Sequence, residues 1–434
     1  MSGFSTLTIE EATERLIDYR GKTPPKTNSG VRLVTAKVVK GGQIHDEPAE
    51  YIAADFYDEW MRRGLPQMLD VLLTTEAPLG EVAILRDDAR IALAQRIILL
   101  RAKPGLLDPV YLFYALQSDY GQGELKARAS GTTVLGIKQS ELRKVRVPVF
   151  PLPVQQRIAG ILSAYDELIE NNQRRIKILE SMARALYREW FVHFCFPGHE
   201  NHPRVASPLG DIPQGWEVKV LGSVMNEQIG GGWGKDAPDE KHTEPAWVIR
   251  GTDIPDGRTC QVTSVPYRFH GVSNIRSRRL QEGDIVFEVS GGSKGQPVGR
   301  TLLVTPQLLS AFENEAVICA SFCKRICPDA VGYGSELLYL SFLEGYESGE
   351  IEQFQVQSTG ISNFKWTEYI AKTARVIPPE LLRMRFRELV MPMLSQVATL
   401  GLQTANLRRT RDLLLPRLLS GQINLNDRFE EVIS

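Results

Sequence analysis

Apolar residues recur at alternating spacings of four and three through the middle of the chain. The series consists of Ile158, Leu162, Tyr165, Ile169, Asn172, Ile176, Leu179, Ala183, Leu186 and Trp190. This spacing is that of a heptad seam, and it predicts one long amphipathic helix suited to coiled-coil packing. Because a helix of about 35 residues is roughly 50 Å long, we expect it to pack against a partner of similar length.

A second seam near the C-terminal end supplies that partner. Its positions are Phe386, Val390, Met393, Val397, Leu400, Thr404, Leu407, Arg411, Leu414 and Leu418. Pro392 lies inside this seam and is expected to kink or restart the helix. We predict that the two helices pack antiparallel and hold two other domains a fixed distance apart. The predicted helix interface consists of Ile158, Leu162, Ile169, Ile176, Leu179, Leu186, Trp190, Leu407, Leu414 and Leu418.

The segments that precede the two seams repeat one another. Residues 70–85 and 283–304 each predict a buried strand, a glycine-containing loop and a second strand. Residues 129–150 and 357–378 each predict a Gly/Ser/Thr loop, a β-like segment with a lysine (Lys138 or Lys365), a basic strand and a proline. The offset between such pairs is about 225–230 residues and indicates an internal duplication.

Two further pairs of segments follow the same order. Residues 93–103 resemble 314–328, a comparison that sets Gln95 against Glu315, and 111–119 resemble 336–345. The predicted fold is therefore α+β: two tandem β-rich mixed domains joined by two long antiparallel coiled-coil helices, with a pseudo-two-fold internal repeat. The predicted boundaries are 1–150, 151–196, 205–378, 379–422 and a tail at 423–434.

Bulk composition excludes several classes of protein. Hydrophobic residues make up 43% of the chain and charged residues 24%, which is ordinary for a globular protein. No apolar run reaches membrane-spanning length, and the first residues have no signal-peptide pattern. The five cysteines have no disulfide-scaffold rhythm, so we expect a reducing cytoplasm.

Local charge departs from the net charge of −1. Residues 15–40 contain seven Lys/Arg against one acid, and residues 126–146 contain six against one. Such runs are often solvated faces, but two of them in one predicted domain favour an anionic partner.

Catalytic signatures are scarce. The segment KGQPVGRT (294–301) lacks the first glycine and the lysine of a phosphate-binding loop. His193, Cys195, His199 and His202 are interpreted as a helix exit and turn, and Cys319, Cys323 and Cys327 as buried thiols on one strand face. We therefore predict neither a metal site nor a catalytic site.

Gly/Ser/Thr loops beside basic residues recur in both repeats and suit close contact with phosphates, while Arg, Asn and Gln can read base edges. The predicted DNA-contacting residues are Arg20, Lys22, Thr23, Lys37, Gln95, Arg96, Ser130, Thr132, Thr133, Lys138, Lys235, Arg250, Ser293, Lys294, Gln296, Asn314, Ser358, Thr359, Asn363 and Lys365. The alternative is that these loops are ordinary turns, with the two repeat lysines solvated on strands.

Four segments resemble conserved regions of the specificity subunits of type I restriction–modification systems. Residues 151–198 resemble the central region of that family, 407–423 the distal region, and 18–44 and 211–222 the openings of two target recognition domains. The resemblance covers essentially the whole chain. It implies that 1–150 is the first target recognition domain and 205–378 the second.

The resemblance also implies function and partners. Each domain would read one half of a bipartite, asymmetric double-stranded DNA site, and the helices would set the spacing and dock two modification (methyltransferase) subunits. Two restriction (motor and nuclease) subunits would join in the full complex. This subunit would be non-catalytic and hold no cofactor, whereas S-adenosylmethionine, ATP and Mg²⁺ would belong to the partners.

Other interpretations stay open at the level of sequence. The chain could be a coiled-coil scaffold that does not bind DNA, or the specificity subunit of a related type II-like methyltransferase/nuclease complex. A fused methyltransferase or nuclease would need an Asn/Asp-Pro-Pro-aromatic motif or an acidic cluster, and the sequence has neither.

Overall fold

The computed structural model describes residues 5–19, 21–291, 296–329, 331–358, 361–423 and 425. The chain divides into two compact units: Met1–Glu167 with Arg408–Ser434, and Leu168–Leu407. We call these unit 1 and unit 2. The division falls within both long helices, so each unit contains a part of each of them.

Unit 1 is a mixed α+β unit. Its strands are β1 (Ser5–Thr8), β2 (Thr13–Asp18), β3 (Val31–Val34), β4 (Val39–Lys40), β5 (Gln43–Ile44), β6 (Tyr51–Ile52), β7 (Val71–Thr75), β8 (Leu79–Ile84), β9 (Ile91–Leu93), β10 (Ile97–Ala102) and β11 (Arg146–Val149). Its helices are α1 (Ile9–Ala12), α2 (Tyr57–Trp60), α3 (Pro109–Gln117), α4 (Asp119–Ala127), α5 (Gln139–Leu142) and the first part of α6 (Leu152–Tyr187). The main sheet has the order β2-β10-β7-β8, a second has the order β6-β3-β9, and β1 pairs with β11.

Unit 2 repeats this plan. Its strands are β12 (Arg204–Ser207), β13 (Gly210–Pro213), β14 (Glu217–Val220), β15 (Met225–Gly230), β16 (Glu244–Ile249), β17 (Tyr267–His270), β18 (Ile285–Glu288), β19 (Ser290–Gly291), β20 (Thr301–Leu303), β21 (Val317–Cys319), β22 (Cys323–Pro328), β23 (Gln355–Ser358), β24 (Ile361–Phe364) and β25 (Ala374–Ile377). Its helices are α7 (Ile254–Gly257), α8 (Val272–Arg278), α9 (Pro306–Ala311), α10 (Ser335–Glu347), α11 (Trp366–Lys372) and most of α12 (Glu380–Leu419).

The two units share one topology. The sheet β15-β22-β18-β20 corresponds to β2-β10-β7-β8, and β17-β16-β21 corresponds to β6-β3-β9. In each three-stranded sheet one pair is parallel, β3 with β9 and β16 with β21, and the other pair is antiparallel. The pair β14-β25 likewise corresponds to β1-β11. The predicted internal duplication is therefore confirmed.

The turn that precedes β7 and the turn that precedes β18 are closed by the same hydrogen bond. Asp70 and Asp284 each accept, through Oδ2, the backbone N–H three residues earlier at 2.7 Å. The residue before each aspartate has a left-handed backbone: Leu69 has φ 70° and Gly283 has φ 84°. The same turn thus uses a glycine in one repeat and a strained leucine in the other.

The two long helices pack antiparallel, as predicted. In unit 1 the start of α6 packs with the end of α12, where Ile158 and Leu162 share a buried cluster with Leu418. In unit 2 the later part of α6 meets the earlier part of α12, where Ile176 packs with Val397. All ten residues of the predicted helix interface are buried or half-buried.

The two long helices differ locally from what the heptad spacing predicts, at Pro392 in α12 and at the end of α6. The 40-residue α12 continues through Pro392, so the helix does not restart there. The 36-residue α6 ends in a π-helical turn, Arg188–Val192. Because a π-helical turn changes the angular step between residues, it lets the consecutive Trp190 and Phe191 both be buried.

Candidate nucleic-acid interface

The parallel strands β3 and β9 place a cleft at their common end in unit 1. The chain leaves β3 through Thr35 and leaves β9 through Gln95 and Arg96, and the loop after β2 crosses beside them. Thr23 Oγ1 donates a hydrogen bond to Gln95 Oε1 at 3.2 Å across this cleft. The cleft has a volume of about 240 Å³. Its lining includes four predicted DNA-contacting residues, Thr23, Lys37, Gln95 and Arg96.

The charged side chains that line the cleft are held in place by ion pairs. Glu50 lies between Lys26 and Lys37, with Oε2 at 2.6 Å from Lys26 Nζ and Oε1 at 3.4 Å from Lys37 Nζ. The bond from Lys26 and the two positive charges hold the pKa of the Glu50 carboxyl below its ordinary value. Arg96 Nε lies 2.9 Å from Glu76 Oε1, and about half of each side chain is exposed. The arrangement offers cationic donors to an anionic or polar ligand.

Sequence reasoning missed three polar residues of this cleft: Lys26, Thr35 and Glu50. Lys26 belongs to the basic run of residues 15–40 and could have been chosen on that signal. Thr35 could not, because only the parallel pairing of β3 with β9 brings it beside Gln95. The Thr35 hydroxyl is buried and has no hydrogen-bond partner within the described part of the chain.

The segment 130–138 closes into a loop beside this cleft. Ser130 and Gly136 exchange backbone hydrogen bonds of 2.8 and 2.9 Å, and Ile137 N donates to the backbone oxygen of Thr75 at 3.0 Å. The predicted residues Thr132 and Thr133 are exposed in the loop. In unit 2 the matching segment is the hairpin β23-β24, which pairs with β19. There Asn363 is exposed, and its Oδ1 accepts the Ser290 hydroxyl at 2.8 Å.

The two repeat lysines lie at helix N-termini, so their predicted place in a β-like segment is wrong. Lys138 is the N-cap residue of α5 and Lys365 that of α11, and both side chains are exposed. The following residues form helical turns because each helix buries an apolar side chain, Leu142 in α5 and Tyr369 in α11. Lys365 Nζ also lies 3.4 Å from a carboxylate oxygen of Glu368.

The equivalent end of β16 and β21 in unit 2 carries different side chains. Ala94 N donates to Val34 O at 3.0 Å, and Ala320 N donates to Ile249 O at 2.8 Å, so the two alanines are equivalent. Consequently Ser321 and Phe322 stand where unit 1 has Gln95 and Arg96. Phe322 is 56% exposed.

This register corrects the alignment of Gln95 with Glu315. Glu315 precedes β21 instead of following it, and it accepts the indole N–H of Trp247 at 2.7 Å. Asn314 lies in the same turn, with φ 61°, and is therefore at the opposite end of β21 from Ser321. The sequence comparison missed the register because the apolar runs of the two repeats align at more than one offset.

The remaining predicted residues of unit 2 have varied surroundings. Arg250 donates Nε and Nη2 to Asp253 at 2.9 and 2.8 Å, which raises the pKa of its guanidinium. Lys235 is exposed, and its backbone exchanges two hydrogen bonds of 2.9 Å with Phe269. Gln296 is exposed, as is Lys22 in unit 1. Arg20, Ser293, Lys294 and Thr359 lie outside the described residues, as does the side chain of Ser358.

Within the described ranges, no group of three or more His, Cys, Asp and Glu side chains could hold a metal ion. The five cysteines are free thiols; Cys319 lies on β21 and Cys323 and Cys327 on β22, so the predicted single strand is wrong. No helix in this part of the chain is long and apolar enough to cross a membrane.

The chain thus contains two units whose main sheets share one topology. A family model for the type I restriction modification DNA specificity domain matches residues 65–181. The chain is 28% identical over 361 residues to the type I restriction enzyme MjaIX specificity subunit of Methanocaldococcus jannaschii, covering 82% of this chain and 78% of that one. It is 30% identical over 138 residues to the MjaVIII specificity subunit of the same organism, covering 32% and 31%.

A solved structure shares the fold over almost the full length. The S subunit of a type I restriction–modification system from M. genitalium superposes with a TM-score of 0.59 at 15% identity, covering 96% of both chains. The predicted α+β fold is confirmed. Residues 65–181 thus match the type I DNA specificity domain, and the chain is similar over most of its length to a type I restriction enzyme specificity subunit.

Proposed function

We propose that this subunit directs a type I restriction–modification complex to DNA, with each recognition domain reading one half of a bipartite, asymmetric site. One observation carries the asymmetry: equivalent cleft positions hold Gln95 and Arg96 in unit 1 but Ser321 and Phe322 in unit 2. Arginine can donate two hydrogen bonds to guanine, and glutamine can donate one to adenine and accept one from it, whereas phenylalanine offers only apolar or stacking contact. Two domains with these side chains are suited to different base sequences.

The long helices supply the second part of the proposal: they set the spacing between half-sites and dock two modification subunits. Apolar side chains outside the seam support the docking, since Ile178 and Met182 on α6 are 52% and 48% exposed. On α12, Leu381 and Met384 are also exposed. Exposed apolar side chains at helical spacing are suited to contact with another protein.

Catalysis, in this proposal, belongs to the partners. The modification subunits would use S-adenosylmethionine, and two restriction subunits would use ATP and Mg²⁺, while this chain binds and positions. The free thiols are compatible with the cytoplasmic location that we propose.

A domain exchange tests whether each recognition domain reads its half-site independently of the other. Methylome sequencing of cells that express the system first identifies the bipartite sequence. Replacing residues 207–378 with the matching domain of a relative is then expected to change one half-site and leave the other intact. The reciprocal exchange of residues 1–150 is the control and should change the other half only. A simultaneous change of both half-sites would rule out independent domains.

A DNA-binding measurement separates this proposal from the scaffold interpretation. The purified chain, assembled with its modification subunits, is expected to bind a duplex with the methylated sequence more tightly than a scrambled duplex of equal length. Equal affinity for both duplexes would favour a scaffold.

A further inference from the structure

The loop 131–135 of unit 1 exposes two neighbouring apolar side chains. Val134 is 54% exposed and Leu135 is 51% exposed. The loop backbone is closed by the two hydrogen bonds between Ser130 and Gly136. Gly131 has φ +119°, and a Cβ there would lie 2.2 Å from the Val134 carbonyl oxygen, so the turn requires glycine. The backbone thus presents the two apolar side chains in a defined place.

Exposed positive charge flanks this loop on both sides. Lys126 lies in the last turn of α4 and Lys138 at the start of α5; both are exposed, and neither forms an ion pair with another residue in the described ranges. The neighbouring acids are already paired with other cations. The pairs are Glu124 with Arg128 at 3.2 Å, Glu141 with Lys144 at 2.8 Å and Glu76 with Arg96 at 2.9 Å. The surface therefore suits a polyanion that also offers apolar groups.

The hairpin-like shape of residues 130–136 indicates which part of a DNA duplex this segment can contact. In unit 2 the matching residues form the two-stranded hairpin β23-β24, and in unit 1 the Ser130–Gly136 bridge closes the loop in the same antiparallel manner. The major groove of DNA admits a two-stranded ribbon, has phosphates along its rims and presents the thymine C5-methyl group as its apolar feature.

We infer that Val134 and Leu135 contact thymine methyl groups in the major groove of the first half-site. This inference rests on the proposed function and deepens it, because it assigns part of the base specificity to an apolar loop tip. It requires at least one A·T pair in that half-site. Lys126 and Lys138 would then lie towards the phosphates on either side of the groove.

Uracil substitution tests the contact, because it removes only the methyl group. The full chain in complex with its modification subunits is titrated with duplexes of the methylated sequence in which single thymines of the first half-site are replaced by uracil. Loss of one buried methyl group is expected to weaken wild-type binding about fourfold. Val134→Ser and Leu135→Ser are expected to weaken binding to the thymine duplex by a similar factor and to remove the sensitivity to uracil.

Matched controls keep the test specific. Val331→Ser alters a valine that is 88% exposed in the turn after β22, the opposite end of that strand from Phe322, and should bind like wild type. Val134→Thr keeps one of the two methyl groups of the valine, so it should lose less affinity than Val134→Ser.

Several outcomes would overturn the contact. These are wild-type affinity in both serine variants, a first half-site without A·T pairs, indifference of the wild-type complex to every uracil substitution, or an equal loss on specific and scrambled duplexes. Failure of the proposed function looks different: the wild-type complex itself would then fail to prefer its methylated sequence.

Discussion

Arg411 Nη1 lies 2.5 Å from Asp166 Oδ1 and joins the last part of α12 to α6 in unit 1. The other carboxylate oxygen of Asp166 accepts the hydroxyl of Tyr114 at 2.5 Å. Burial, followed by the charge of Asp166, raises the pKa of that tyrosine, so it remains a hydrogen-bond donor. Arg411 occupies a seam position that the heptad pattern reserves for an apolar residue. The three-residue network explains how a charge is accommodated there.

Replacing one charged member of this network should lower the free energy of unfolding more than replacing both. Arg411→Leu leaves the Asp166 carboxylate, which is 15% exposed, without its cation and should lower the free energy of unfolding by about 2 kcal/mol. Asp166→Asn in the Arg411→Leu background should recover part of that loss. Urea titrations of the two single variants and the double variant measure the coupling. Strictly additive losses would show that the ion pair contributes nothing of its own.

The strained turn at Leu69 predicts a stabilising substitution. Leu69 has φ 70° and a half-exposed side chain, and the equivalent residue of unit 2 is Gly283. Leu69→Gly should raise the free energy of unfolding by about 0.5–1 kcal/mol, because relief of the left-handed strain exceeds the entropic cost of glycine. Gly283→Leu should lower it by at least about 1 kcal/mol, since its Cβ would also lie 3.1 Å from Ser335 Oγ. A lower melting temperature for Leu69→Gly would contradict this account.

A cavity in the helix seam should weaken the subunit without changing its specificity. Ile176 is buried against Val397 and Leu400, so Ile176→Ala should cost about 2–5 kcal/mol. The matched control is Leu168→Ala on the same helix, which is 51% exposed and should stay within about 0.5 kcal/mol of wild type. Melting curves give the stabilities, and methylome sequencing gives the specificity. A new methylated sequence from Ile176→Ala would be incompatible with a structural role.

The N-cap lysines should contact phosphates in both repeats. Lys138→Ala and Lys365→Ala should each weaken binding to specific and scrambled duplexes alike and reduce the slope of log affinity against log salt by roughly one unit. Lys144 and Lys372 serve as controls, because they lie at or just after the C-terminal ends of the same short helices and are closely paired, at 2.8 and 2.6 Å, with Glu141 and Glu368. Salt-dependent titrations of the complex decide the role. A loss on the specific duplex alone would make the lysine a base reader, at a cost of about 1–3 kcal/mol.

Much of the architecture follows from the sequence because it rests on local periodicity. The heptad spacing from Ile158 to Trp190 requires a long amphipathic helix whatever lies beside it, and the second seam provides an antiparallel partner. The duplication is also readable, because two copies of one fold need the same order of strands, loops and helices. The loops that carry Thr132 and Thr133 were therefore found without a structure.

The composition of the clefts depended on tertiary structure instead. Parallel pairing of β3 with β9 joins residues about sixty positions apart, and no local pattern indicates that Thr35, Glu50 and Gln95 meet. The same register shows that Ser321, and not Glu315, stands in the place of Gln95, because strand alignment is set by hydrogen bonds to a neighbour. Lys138 and Lys365 lie at N-caps for a similar reason, since burial of Leu142 and Tyr369 selects helical turns there. Sequence periodicity determined the elements and their repetition, and long-range pairing decided which side chains share a surface.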